Sequence, residues 1–425
     1  MEKTPESNKK LPTGFYDTAL DAINSIDDFL GSKHTEQKWL DFNDAAVKIK
    51  KNGESVHAQE HNSGGNQKEY HTSIHLMILE KCAKKLAEIL HLDKKQIALS
   101  KMAIAWHDTT VNSDKPDINN ILGMICRHRG AKIGDEPSGV NGNENISAQG
   151  LEQEMREANQ KAGKEIFSEE DILTCISAVY ATYPDGKFDF EFKNYPYYQE
   201  AINQNPSLEK LFLDLERSGI TKGHLFSQPH LENLLENNIL PRKEVLVMAL
   251  SDLSEAGTVS YYEFFASADK EMRELYHNLR DKKILNNLAT DLIHVEDRKK
   301  VITTFLVWMD SQPGFVAWQA LRFEKIIYLY RKNNGMQNGI TEEEENNLRK
   351  YFSQYTKNAL ACLRRAKDAQ QHIKDIMSQQ ENETIETDKN KKDFTIEAFS
   401  YIAKKMGYIV DCESQNSQIP LLLGG

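Results

Sequence analysis

An all-α fold is what the sequence predicts. Apolar residues recur at three- and four-residue steps over much of the chain, N-cap signals head several of these segments, and stretches that alternate apolar with polar residues are few. In "GFYDTALDAINSIDDFLG", Phe15, Ala19, Ile23, Ile26 and Leu30 keep the helical step until Gly31 stops it. A second helix is predicted over Ile74 to Leu90, with Ile78, Cys82, Leu86, Ile89 and Leu90 as its buried stripe. "FSEEDILTCISAVYATYP" opens with Ser168 three residues before Asp171, an N-cap arrangement, and ends at Pro184.

Between these helices, "KNGESVHAQEHNSGGNQK" (Lys51 to Lys68) is polar and contains glycine, and it reads as a loop. "VNSDKPDINN" and "RGAKIGDEPSGVNGNEN" predict long irregular segments after Asp108, and "FDFEFKNYPYYQEAINQNPS" interrupts the helical pattern again. Long loops in compact proteins are usually lids, binding loops or insertions. After "KNNGMQNG", Thr341 and Glu344 form a predicted capping box. The stripe Leu348, Phe352, Tyr355, Ala359, Leu363, Ala366 and Ile373 predicts one long helix, fit to pack on the main domain or on another chain. The polar run "SQQENETIETDKNKKD" reads as a linker before a last helix, "FTIEAFSYIAKKMGYIV", and a loose tail.

Bulk properties bound the function. A composition of 39% hydrophobic and 28% charged residues fits a soluble globular protein, and no stretch reaches the roughly 18 consecutive apolar residues of a membrane span. The start of the chain, "MEKTPESNKKLPTG", lacks the apolar core of a secretory signal. A cytoplasmic setting is therefore expected, with export without a cleavable signal as the other reading. Five scattered cysteines with no C-x-x-C pair argue against a disulfide framework and against a thiolate zinc site. A formal charge of -11 disfavours nucleic acid and anionic membranes as main partners.

Three stretches carry candidate chemistry. "YHTSIH" (Tyr70 to His75) puts His71 and His75 four apart at the head of an apolar segment, "AIAWHDTTVN" contains adjacent His107 and Asp108, and "ALSDLSEAG" sets Asp252 in an apolar run. Charge in such surroundings is costly unless it is paired or bound to metal. Imidazoles with carboxylates suit a divalent transition ion, which lowers the pKa of bound water toward neutrality and polarises a phosphoryl oxygen. Hydrolysis of a phosphate ester follows naturally from that donor set.

The order H...HD...D resembles the HD-domain superfamily of metal-dependent phosphohydrolases. "YHTSIH" is similar to the Tyr-His-Asn-x-x-His start of the cyclic-nucleotide phosphodiesterases and of small bacterial HD hydrolases, with Thr72 in place of Asn. The resemblance implies an HD-domain helical core with long loop insertions and extra helices at both ends. It implies that His75, His107, Asp108 and Asp252 are metal ligands and that His71 protonates the leaving oxygen. "NENISAQ" is similar to the Asn-Glu-x-x-Ser-Ala segment of the small hydrolases and makes Glu144 a carboxylate that orients a histidine or water. "DSQPGFVAW" is similar to the phosphodiesterase Ser-Gln-x-Gly-Phe segment, with Pro313 intruding, and implies that Gln312 and Phe315 hold a base.

The resemblance covers Tyr70 to Phe323. The expected organisation is a helical lead and loop over 1–61, an HD-type hydrolase core over 62–330, and a C-terminal helical extension and tail over 331–425. One or two ions of Mn, Zn, Fe, Ni or Co are the expected cofactor, with Mg at a second site as an alternative. The expected substrate is a small, nucleotide-type phosphate ester, cleaved by a phosphodiesterase or other phosphohydrolase activity. Arg127 and Arg129 in "ICRHRG" are candidates for its phosphate, although a solvated basic cluster reads equally well. His57 and His61 read as solvated loop histidines or as ligands of a second metal, and Trp106 reads as core. The rival class is a degenerate HD scaffold that binds a ligand or partner without turnover, with the C-terminal helices as the surface for a protein partner or second copy.

Overall fold

A computed structural model describes residues 36–62, 69–109, 143–182, 185–237, 239–275, 279, 281–290, 294–332, 338–383 and 394–408. The class is all-α, with one antiparallel pair of strands among the described residues. In chain order the elements are α1 (Glu36–Asn62), α2 (Ser73–Ile89), α3 (Lys94–Trp106), α4 (Asn143–Ala162), α5 (Glu169–Tyr180), β1 (Asp185–Glu191), α6 (Tyr198–Gln204), α7 (Pro206–Arg217) and β2 (Lys222–Ser227). They continue with α8 (Pro229–Glu236), α9 (Lys243–Asp252), α10 (Glu255–Thr258), α11 (Tyr261–Leu275), α12 (Lys282–Thr290), α13 (Val295–Lys332), α14 (Glu342–Tyr351), α15 (Tyr355–Glu383) and α16 (Phe394–Lys405). No described helix is long and apolar enough to cross a membrane.

Local chemistry explains several helix starts. Ser168 and Asp171 at α5, and Thr341 and Glu344 at α14, form the expected capping boxes, and Asp93 with Gln96 forms a third at α3. Each box satisfies two backbone donors that the first turn would otherwise leave without partners.

Two hydrophobic clusters make up the core. The first joins α1 to α5 and α9 with the second half of α13, from Val316 to Tyr330. The second joins α12, the Val301–Met309 part of α13, and α16 with the Ala366–Ile376 stretch of α15. Helix α13 is thus the spine shared by both, and the clusters meet near Pro313-Gly314. Proline inside a helix removes a backbone donor. Gly314 lets β2 approach closely, since a Cβ there would lie 3.1 Å from the Cα of Gly223. The described part of 331–425 contributes to both clusters.

Three local expectations are corrected. Residues 51–62 are not a loop but the second half of α1, because His57 and His61 are buried and Trp106 packs against Gly53. Tertiary burial overrides the polar composition there. The long helix expected from Thr341 breaks at Phe352–Gln354 into α14 and α15. At that break the Gln354 N–H donates to Gly257 O, and Asn358 Nδ2 donates to Ala256 O and Val259 O. The segment expected to interrupt the helices does so through β1, which pairs antiparallel with β2, but its Tyr198–Gln204 part is helix α6. The helix expected over 15–30 lies outside the described residues.

Trp106, as expected, is core. Its Nε1 donates to Ile49 O at 3.0 Å, and its ring lies where Gly53 and Gly150 admit it. A Cβ on Gly150 would come within 2.6 Å of Trp106 Cζ3. Gly150→Ala is therefore expected to cost about 1–3 kcal/mol by overpacking, read as a lower denaturation midpoint. An unchanged midpoint would show that Trp106 has room to move.

His230 of α8 is buried and shares a hydrogen bond of 2.7 Å with Ser177 Oγ. Burial pushes its pKa down from 6.5 to about 4. Its folded pKa is below its unfolded one, so its contribution to stability is complete above pH 6.5 and is lost as pH falls toward 4. Unfolding measured at pH 7 and pH 4 should show His230→Gln sparing about 3 kcal/mol of the acid-induced loss. Equal losses in both proteins would contradict this.

Candidate metal centre

Three helix ends deliver the four ligand candidates. His75 lies in the first turn of α2, where the apolar stripe that buries the helix buries the ring as well. His107 is the residue that ends α3 and Asp108 follows it in the turn, while Asp252 is the last residue of α9. Helix α9 packs on α2 and α3, which converges the three helix ends.

His107 Nε2 lies 2.9 Å from Asp108 Oδ2 and 3.7 Å from Asp252 Oδ1, and His75 Nε2 lies 3.7 Å from Asp108 Oδ2. Ligand atoms of His75, His107 and Asp108 all fall within 4.8 Å of one another, so this group can hold a metal ion. The tautomer suits that role, because His107 Nδ1 donates to Ile104 O at 2.7 Å and Nε2 is left to face the carboxylates. Both imidazoles are buried, whereas the side chains of Asp108 and Asp252 remain 19% and 15% exposed. The carboxylate side is thus where solvent reaches the group.

The electrostatics are those of a site short of positive charge. Burial opposes protonation of His107, but the adjacent Asp108 carboxylate and then Asp252 outweigh it and push the pKa up to about 9. Against its own burial, Asp108 is held well below the usual carboxylate range by the charge and hydrogen bond of His107. Burial, followed by the like charge of Asp108, pushes Asp252 up to about 6. His75 goes the other way, to about 3, because its burial exceeds the pull of Asp108. A neutral His75 is what a metal requires.

His71 stands just outside α2 and is held by a residue the sequence reading did not find. Glu274, on α11, accepts the N–H groups of Glu69, Tyr70 and His71 on Oε2 at 2.9–3.1 Å, and its Oε1 lies 2.7 Å from His71 Nδ1. Its side chain is 1% exposed. The carboxylate therefore fixes both the backbone before α2 and the tautomer of His71. The His71 and His75 rings are 5.9 Å apart, and His71 acts electrostatically on Asp108 and Asp252. No local pattern marks Glu274, which is 203 residues from His71.

Helix α1 also enters the site. His61 Nε2 donates to Asp108 O at 2.8 Å, and the His57 and His61 rings are 4.2 Å apart. Neither is a solvated loop histidine. Burial, then the neighbouring His61, pushes His57 down to about 3. On the far side, Thr109 Oγ1 donates to Ser147 Oγ at 3.0 Å, tying α4 to the turn after Asp108. Glu144, in the first turn of α4, has a buried Oε2 without a hydrogen-bond partner. Burial first, with the charges of Asp108 and Asp252, pushes its pKa up to about 7.

The remaining candidates are on α13 or outside the described residues. Gln312 is buried with Nε2 unpartnered, and Phe315 is half-buried, its ring stacked 6.5 Å from that of Phe264. Residues 312, 315, 319 and 322 share one face of α13. Arg322 on that face acts electrostatically on Asp252. Arg127 and Arg129 lie outside the described residues.

No family model, curated protein or solved structure matches the chain.

Proposed function

We propose that the chain is a metal-dependent phosphoric ester hydrolase of the HD type, acting on a nucleotide-type phosphate ester. Its main support is one juxtaposition. His75, His107 and Asp108 form a group able to hold an ion, Asp252 stands 3.7 Å from His107, and the carboxylate-held His71 stands beside His75. The four candidate ligands follow the order of the motif H...HD...D, and His71 precedes the first of them by four residues.

Buried Glu144 Oε2 lacks a hydrogen-bond partner, and the Nε2 of buried His107 faces the Asp108 and Asp252 carboxylates, which suits a centre whose remaining partner is a cation with its water. His75, His107, Asp108 and Asp252 would hold a divalent transition ion. When bound, that ion supplies an acidified water and neutralises charge on the phosphoryl oxygens. His71 transfers the proton of Nε2 to the leaving oxygen, while Glu274 keeps Nδ1–H engaged and stabilises the ring. Glu144 accepts a proton or hydrogen bond on the attacking side, and Gln312 with Phe315 orients the organic part of the ester.

Incubation with a panel of phosphomonoesters, linear and cyclic phosphodiesters and nucleoside triphosphates, each with Mn²⁺, Zn²⁺ or Fe²⁺, tests the proposal. At least one should release product in wild type and not in His107→Ala. Stoichiometric binding without product from any substrate would instead support a non-catalytic scaffold.

A further inference from the structure

Buried polar atoms without partners are few in native proteins, and a cluster of them marks a place where something else binds. Beyond the histidine and carboxylate group, such atoms gather around the second half of α13. Arg322 Nε and Nη1, both amide atoms of Gln319, and the hydroxyl of Tyr195 make five polar atoms without hydrogen-bond partners among the described residues. Arg322 is 1% exposed, Gln319 0% and Tyr195 7%. No carboxylate lies within salt-bridge distance of Arg322 among the described residues.

The surroundings explain why the charge is uncompensated. Glu232, an acidic group that acts on Arg322, is already engaged by Lys325 Nζ at 2.5 Å. Asp252, another, belongs to the candidate metal centre. Tyr355 and Tyr195 also act on Arg322, and both phenols have pKa values pushed up by burial, so they stay neutral. A guanidinium stays protonated in proteins, and leaving one buried and unpaired is costly. Gln319 is one turn from Arg322, so the amide and the guanidinium are neighbours on one face.

We propose that Arg322, with Gln319 and Tyr195, forms an anion subsite beside the second half of α13 that receives a planar or tetrahedral oxyanion, phosphate or carboxylate, distinct from the phosphoryl group at the metal centre. The guanidinium donates to the oxyanion, and the amide and phenol donate to its other oxygens. Assigning the occupant to the substrate rests on the phosphohydrolase proposal, and then the substrate carries two anionic groups. The anion site itself rests only on these side chains.

The test uses the full chain, stripped with chelator, so that binding through a metal plays no part. Thermal unfolding is followed against rising inorganic phosphate and, separately, malonate. Wild type should melt higher as one of these anions increases, and the one that acts distinguishes phosphate from carboxylate. Arg322→Met should melt higher than wild type without anion, because an unpaired buried charge is gone, and should lose the response. Gln319→Leu should keep the fold and need about tenfold more anion for the same shift. Equal responses in wild type and Arg322→Met, or no response of wild type to either anion, would overturn the subsite. Neither result touches the hydrolase proposal, which fails only if no phosphate ester is cleaved by the metal-loaded protein.

Discussion

Asp108→Asn is expected to give a folded protein that holds no stoichiometric metal and hydrolyses phosphate esters on the order of 10³-fold more slowly or worse, since a bound ion is worth several kcal/mol to a phosphoryl transition state. Its Oδ2 faces both candidate imidazoles, at 2.9 and 3.7 Å, so no other residue of the group is so central. The fold should survive for a physical reason. Asp108 is the principal charge that lifts His107 to about 9, and without it the buried ring is free to become neutral. The variant then carries no stranded imidazolium. Circular dichroism with metal content checks both halves, and metal retained at the wild-type level would remove Asp108 from the ligand set.

His71→Ala should behave differently. The ligand group remains, so metal content should stay at the wild-type level, while kcat falls by about 10²–10⁴, the usual worth of a positioned general acid. The loss should be large for an alcohol leaving group and small for a nitrophenolate, which departs without a proton. A uniform loss over both esters would assign His71 to binding and not to proton transfer. Glu274→Gln tests the same device from behind, because it weakens the hold on Nδ1 while leaving a carbonyl oxygen for the backbone N–H groups.

The candidate ligands are legible because their signal is local. His71 and His75 share one turn, His107 adjoins Asp108, and each stretch sits in an apolar pattern where a charge needs a reason. The capping boxes at Ser168 and Thr341 are legible for the same cause, since four consecutive residues contain the whole interaction. What depends on distant contacts is not. Glu274 reaches His71 from α11, and Arg322 acts electrostatically on Asp252 from α13, without any pattern around either.

His57 and His61 show a polar segment being misread. "KNGESVHAQEHN" carries few apolar residues, yet it is helical because Trp106 packs on Gly53 and the site buries both rings. The break between α14 and α15 is invisible for the complementary reason. The apolar stripe continues through Phe352 and Tyr355, and only the hydrogen bonds from Gln354 and Asn358 to the α10 segment and Val259 interrupt the helix.

Elemental analysis of the purified protein, run beside His107→Ala, bears most directly on the proposed chemistry. About one or two equivalents of a divalent transition metal in wild type, lost in the variant while its circular dichroism is unchanged, is the predicted result. Wild type that binds no metal even after reconstitution with Mn²⁺, Zn²⁺ or Fe²⁺ would contradict a metal-dependent hydrolase and leave a helical protein whose buried histidines serve another end.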